Sequence, residues 1–143
     1  MMKFKNSHVV INTNYKHNPQ AHSEMLREGK AAAYYHPWKE KIKRIQKGDK
    51  VFLYQSGRGI VAIGIGTGVV DAKDYKGQVD EEYFTSLNSF QKLKAPLSAR
   101  EMKEIAGKNI VFQQTYLSLD EEAGEKIWTY ITQNYLEEPT DKK

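Results

Sequence analysis

Residues 47–70 read KGDKVFLYQSGRGIVAIGIGTGVV, the longest unbroken β signal in the chain and its most glycine-dense part. Val51–Gln55 is a β-branched and aromatic run, Ser56-Gly57-Arg58-Gly59 supplies turn chemistry, and Ile60–Val70 is a second apolar run studded with glycines. Two long strands folded on a tight turn are expected. In the second strand a side-chain period of two puts Val61, Ile63, Ile65, Thr67 and Val69 on one face, and Ala62, Gly64, Gly66 and Gly68 on the other. A strand face stripped of side chains implies a bend, a bulge, or the close approach of another backbone or a ligand. A small closed barrel uses all three. A dinucleotide-binding fingerprint fits poorly, because Val69 stands where GxGxxG needs its last glycine and no helix opens there.

Upstream, Tyr34-Tyr35-His36-Pro37-Trp38 crowds three aromatics and a histidine around a proline. Pro37 suits a first helical turn, Trp38, Ile42 and Ile45 follow at i, i+4 and i+7, and Gly48 is placed to end the helix. Lys39, Lys41, Lys43, Arg44 and Lys47 occupy its other side, so a basic amphipathic helix should lead into the hairpin. Before it, His8–Asn12 reads as a short buried strand that leaves for a loop at Asn12-Thr13-Asn14. Asn18 and Pro19 form an N-cap and first-turn pair for a helix ending near Gly29, with Ala21 and Met25 on its inner side. Residues 31–35 fit either helical continuation or an extended connector.

Downstream, residues 71–82 are polar and acidic and read as a surface connection, 83–90 as a strand, and 91–96 as its exit. Ser98 with Glu101 forms a capping box for a short helix closed by Gly107. Residues 110–116 (IVFQQTY) read as another strand. Ser118 with Glu121 suggests a second capping box, before a helix whose buried stripe is Ile127, Tyr130, Ile131 and Tyr135; residues 137–143 form a charged tail. The order β, α, α, β-hairpin, β, short α, β, α predicts one α+β domain over 1–143, its core at about 8–136, built on a small, strongly bent, mostly antiparallel sheet.

A chain of 143 residues buries roughly two thirds of its unfolded surface without staples. Absent cysteines exclude a disulfide framework and a thiolate zinc site. No apolar run of transmembrane length and no signal-type start appear, so a soluble cytoplasmic protein is expected. The formal charge of +4 is unevenly spread: residues 1–58 carry 12 Lys and Arg against 4 Asp and Glu, while residues 59–143 carry 10 against 14. A basic front half suits an anionic partner, nucleic acid first, rather than a membrane. Ser56 lacks a GxSxG elbow, and His8, His17, His22 and His36 lack metal-ligand spacing. No catalytic residue, metal or cofactor is therefore expected.

The pieces resemble the EVE domains of the PUA-like superfamily, relatives of the YTH and ASCH domains. The residues that carry the likeness are the first strand ending in Asn12–Asn14, Trp38 before a basic segment, the block Lys47–Gly57, and Gly59-Ile60-Val61-Ala62-Ile63-Gly64. Where the family usually shows an Arg-Asn pair after its Trp, Lys39 and Glu40 stand here. The resemblance implies a bent PUA-like β-barrel flanked by helices, with an aromatic cage that receives a base, often a modified one.

Asn12, Asn14, Tyr34, Tyr35, Trp38, Tyr54 and Ser56 are the candidate cage residues; Lys41, Lys43, Arg44, Lys47 and Arg58 are the candidates for phosphate. Rings stack on a base, amides offer a donor and an acceptor to its edge, and cations neutralise the backbone. Each has an ordinary alternative: Trp38 and Tyr54 as core, the asparagines in Asx-turns, Ser56 in its turn, and the cations on a solvated face. A free nucleotide or planar metabolite in the same pocket is the second functional expectation, and a small hydrolase or transferase the third.

Overall fold

The computed structural model describes residues 6–112 and 114–136. Seven strands form one curled sheet: β1 His8–Asn12, β2 Lys30–Tyr34, β3 Lys50–Gln55, β4 Gly59–Gly66, β5 Asp71–Tyr75, β6 Gln78–Leu97 and β7 Tyr116–Leu119. Their order is β2-β6-β4-β3-β1-β7, with β5 paired on β6. β1 runs parallel to β3, and the other pairings are antiparallel. Helices α1 Pro19–Glu28, α2 Ala99–Ala106 and α3 Glu121–Asn134 cover the sheet, and Trp38–Arg44 forms a 3-10 helix. This is the bent, mostly antiparallel α+β architecture that the hairpin implied.

Alternate residues of β1 and β3 feed two cores. Val9, Ile11, Val51 and Leu53 pack with Met25 of α1 and with Ile42 and Ile45; Val10, Phe52 and Tyr54 pack with Met102 of α2 and with Ile127 and Ile131 of α3. With both faces covered, these strands read as continuous apolar runs rather than alternating ones.

The β3–β4 hairpin turns at residues 56–58, and β4 is irregular, with register shifts against both β3 and β6. Its bare face is a packing surface. A Cβ at Gly64 would lie 2.7 Å from Leu87 Cβ, and one at Gly66 would lie 2.4 Å from the Gln46 carbonyl oxygen. Glycine therefore lets the 46–49 turn lie directly on β4, where Gly66 N–H donates to Asp49 O and Gly48 N–H to Gly66 O. The Asp49 carboxylate, itself buried, accepts from the Ser7 and Gln46 N–H groups.

Several expectations are corrected. The basic helix is a seven-residue 3-10 helix, Trp38–Arg44. With three residues per turn, i and i+3 eclipse while i and i+4 do not. Ile42 and Ile45 are accordingly buried together, whereas Trp38 is 48 % exposed. Residues 31–34 of the ambiguous segment belong to β2, with Tyr35 just past its end, and the acidic 71–82 connection is a hairpin of β5 and the start of β6. Propensity missed it because its pairing with β6, rather than apolar burial, holds it. β4 ends at Gly66, before the expected Val70, and β6 continues through the supposed exit to Leu97.

Among the described residues of 110–116 no strand forms before Tyr116; Ile110 and Phe112 plug the second core instead. The strand there is β7, so Ser118 pairs with Val9, and the α3 cap is Asp120, whose carboxylate accepts from Ala123 N–H. Of the α3 stripe, Ile127 and Ile131 are buried and Tyr130 and Tyr135 half-buried. The charged tail, 137–143, lies outside the described residues. The Ser98/Glu101 capping box and the Asn18 cap form as read. No helix among the described residues is long and apolar enough to cross a membrane.

Candidate functional site

The sheet curls without closing. β2 ends it on one side and β7 on the other, and β2 and the segment entering β7 contribute to one cleft of about 620 Å³. Ala32, Ala33, Tyr34, Tyr35 and Trp38 line it from the β2 side. Gln114 and Thr115, leading into β7, face them, with Asn12, Asn14, Lys16 and His17 from the end of β1 and Ser56 from the end of β3.

The β2 edge adds backbone groups. The bonds Leu87 N–H to Gly29 O and Tyr35 N–H to Glu81 O bracket the β2–β6 ladder, so residues 29, 31, 33 and 35 bond to β6. Lys30, Ala32 and Tyr34 must then turn their N–H and C=O groups away from β6, to the side where β2 has no strand partner. Ala32, itself buried, thereby turns its N–H and C=O toward the edge that bounds the cleft. No side-chain pattern announces such a residue.

The asparagines serve turn and cleft together. Asn12 Oδ1 accepts from Asn14 N–H at 2.7 Å, an Asx-type bond that fixes the amide and leaves Nδ2 as a donor. Asn14 itself takes a left-handed φ of +65°, and Tyr35 one of +68°. Two non-glycine residues held in that region at one cleft are local strain that the surrounding fold overrides.

Tyr35 and Trp38 are 41 % and 48 % exposed, and Tyr35 stands edge-on to Tyr75 at 5.7 Å. Tyr34 is buried with its ring 4.5 Å from that of Tyr75, and its hydroxyl has no hydrogen-bond partner among the described residues. Burial, and then the Glu82 and Glu24 carboxylates, raise its pKa far above the usual phenol range, so it stays protonated.

Behind Tyr34 lies a buried ion cluster. Lys30 Nζ, on a side chain 2 % exposed, is 2.8 Å from Glu82, 3.3 Å from Glu28 and 3.6 Å from Glu24. Lys73 holds Glu24 at 2.8 Å, and that bond, with Lys30, keeps the Glu24 carboxyl below its ordinary range. Lys73 is raised in turn by its bond to Glu24. The cluster anchors α1, β2, β5 and β6 to one another behind the cleft wall.

Six of the seven cage candidates converge here: Asn12, Asn14, Tyr34, Tyr35, Trp38 and Ser56. Tyr54 does not, because the period of two sends it with Phe52 to the opposite face, stacked on Phe112 at 4.9 Å. Of the cation candidates, Lys43 is engaged by Glu40 and lies over the Tyr83 ring, and Arg44 lies over Tyr116. Lys41, Lys47 and Arg58 have no ion-pair partner among the described residues. Sequence reasoning missed Lys16, His17, Gln114 and Thr115. The run Asn14-Tyr15-Lys16-His17 was a legible signal, a polar loop continuing from two chosen asparagines; Gln114 and Thr115 were hidden inside an expected strand.

No protein-family model matches the sequence, and no curated protein matches it. Solved structures do. ASCH from Zymomonas mobilis superposes with a TM-score of 0.58 at 13 % identity, over 86 % of this chain and 94 % of that one. A hypothetical protein from Leishmania major gives 0.57 at 11 % identity, over 90 % and 96 %. The Mmi1 YTH domain, solved in complex with RNA, gives 0.58 at 7 % identity, over 90 % and 79 %. The fold is PUA-like. In this PUA-like sheet the cleft is the seam between β2 and the β1/β7 side, and identities this low carry the likeness of fold and nothing further.

Proposed function

We propose that this chain is a non-catalytic, EVE-like module acting inside the cell, which binds nucleic acid by receiving one base, a modified one, in the seam cleft. The observation that carries the reading is the convergence of half-exposed Tyr35 and Trp38 with Asn12, Asn14, Ser56 and the Ala32 edge on one cavity. Rings of this kind hold a base by stacking, and amides and backbone groups meet its edge. No carboxylate lines the cleft among the described residues, while Lys16 does, a charge sense that favours an anionic ligand. Amides, hydroxyls and rings offer hydrogen bonds and stacking rather than an activated nucleophile. The RNA in the YTH structure and the Lys47–Gly64 likeness to EVE domains support the same reading.

The test is a titration at two salt concentrations against single- and double-stranded RNA and DNA carrying unmodified, methylated or hydroxymethylated bases, with Trp38→Ala as control. Preference for one modified oligonucleotide, weakened about 5- to 150-fold in Trp38→Ala, is expected for one stacked base. Indifference to every polymer refutes it. The cavity volume favours a second reading, a free nucleotide or planar metabolite bound whole, since about 300–1,000 Å³ is usual for small-ligand sites. Salt separates the two, because a polymer releases many counterions and a mononucleotide few.

A further inference from the structure

Among the described residues the exposed aromatic side chains are Tyr15, Tyr35 and Trp38. Two line the cleft, and Tyr15 stands between the cleft residues Asn14 and Lys16 on the β1–α1 loop. Surfaces ordinarily tuck rings of this size away, so three left bare around one cavity point to a partner with flat faces.

Tyr15 is not loose. Its ring meets the His22 imidazole edge-on at 5.0 Å and 76°. His22 is buried, and its Nδ1 is hydrogen-bonded at 2.7 Å to Thr13 Oγ1, which is fully buried and also donates to Tyr54 O at 3.3 Å. The loop is closed by Asn14 O, which accepts from His17 N–H and Asn18 N–H. Tyr15 is thus a ring held at a set angle by a buried, hydrogen-bonded support, with 38 % of its surface left open.

Cations flank it. Lys16 lines the cleft mouth and Arg58 is exposed at the β3–β4 turn, and neither has an ion-pair partner among the described residues. Thr13 N–H donates to Tyr54 O at 2.9 Å and Ser56 lines the cleft with Asn14 and Lys16, so the β3 end that carries Arg58 two residues further on lies alongside this loop; burial lowers the His22 pKa and the Arg58 charge lowers it further. Three of the four cations of the 3-10 helix are engaged elsewhere: Lys39 donates to Asp80 O, Lys43 is paired with Glu40, and Arg44 lies over Tyr116.

We infer that the β1–α1 loop is a second nucleotide subsite, in which Tyr15 stacks the base next to the one in the cleft while Lys16 and Arg58 take the phosphate between them. The inference rests on the reading of the cleft as a base site. It makes the ligand a run of consecutive nucleotides in a single strand, because a neighbouring base still paired in a duplex stays in the stack, its one freed face turned into the helix, whereas in a single strand it can swing out onto Tyr15. The ring reads no base edge, so the subsite contributes affinity and direction along the strand without sequence preference.

The test compares, by fluorescence anisotropy, single-stranded pentamers with a central methylated adenine or methylated cytosine, the same pentamers in duplex, and the competing free mononucleotides. RNA and DNA series run side by side, and the series that carries the gain names the polymer. Single-stranded pentamers are expected to bind about 5- to 150-fold tighter than the mononucleotide, the range of one stacked base. Tyr15→Leu, which keeps an apolar cover over His22 without an aromatic face, should collapse that ratio towards one, and Tyr15→Phe should retain it. Lys16→Gln and Arg58→Gln should each lower the slope of log K against log salt by about 0.7. A mononucleotide that binds as tightly as every pentamer, or a ratio untouched by Tyr15→Leu, overturns the second subsite and leaves the cleft reading standing. No binding of any probe overturns both.

Discussion

Replacing Lys30 by Met removes the cation at the centre of the cluster behind the cleft and leaves a stem of similar length in its place. Glu82, 1 % exposed, then has Lys73 at 4.0 Å as its remaining cation, while Glu24 and Glu28 are exposed enough to turn to water. Removing one partner of a buried ion pair typically costs about 3–5 kcal/mol. The distant Lys73 and the solvent near Glu24 and Glu28 place this case at the lower end, about 3 kcal/mol. At about 2–4 °C per kcal/mol for a domain near this size, the melting temperature should fall by about 6–12 °C. Replacing both partners, Lys30→Met with Glu82→Leu, removes the stranded charge and should return to within about 1 kcal/mol of the parent, because apolar substitutes for buried pairs are often neutral. Urea unfolding of the two single variants and the double variant measures the coupling. A single Lys30→Met cost under about 1 kcal/mol, or a double variant worse than either single, would show that the pair is solvated and refute the reasoning.

Acid should weaken the fold through Glu24, held low by Lys73, and Glu125, held low by Lys50 and then His8. A carboxyl depressed in the folded state stabilises fully above its unfolded pKa near 4.5 and loses that contribution as pH falls through the folded value, so the urea midpoint should drop steeply below pH 4.5; buried His22, held low by burial and then by Arg58, adds an earlier, smaller loss that begins as pH falls below the unfolded imidazole value near 6.5. Gly66→Ala forces a Cβ to 2.4 Å from Gln46 O and strains the two backbone bonds clamping β4 to the 46–49 turn; a loss of about 2–4 kcal/mol is expected by chemical denaturation. Tyr34→Phe deletes a buried hydroxyl without a hydrogen-bond partner, so stability should stay within about 0.5 kcal/mol of the parent or rise; a loss above about 1 kcal/mol would mean that the hydroxyl is bonded.

The parts of this protein decided by neighbours in the chain were legible in its residues. The hairpin was, because turn chemistry and β-branched runs act over a few positions; so were the Asn18 and Ser98 caps, whose side chains reach backbone groups three residues on. The glycine face announced a close approach without saying of what, since Leu87 and Gln46 arrive from elsewhere in the chain. Six of the candidates stand at one cleft because they lie at strand ends and in the 34–38 aromatic run, of which Tyr34 is at the same time core. What tertiary structure decided depends on long-range pairing and on helix pitch. A 3-10 pitch turned Trp38 outward although an α-helical stripe fits its spacing equally well. Pairing with β6 made a hairpin of an acidic stretch that lacks β propensity, and Phe112 claimed Tyr54 for the core. Ala32 joined the cleft from a strand edge, a place that no pattern of side chains encodes, because it exists only once the sheet has curled and left its seam open.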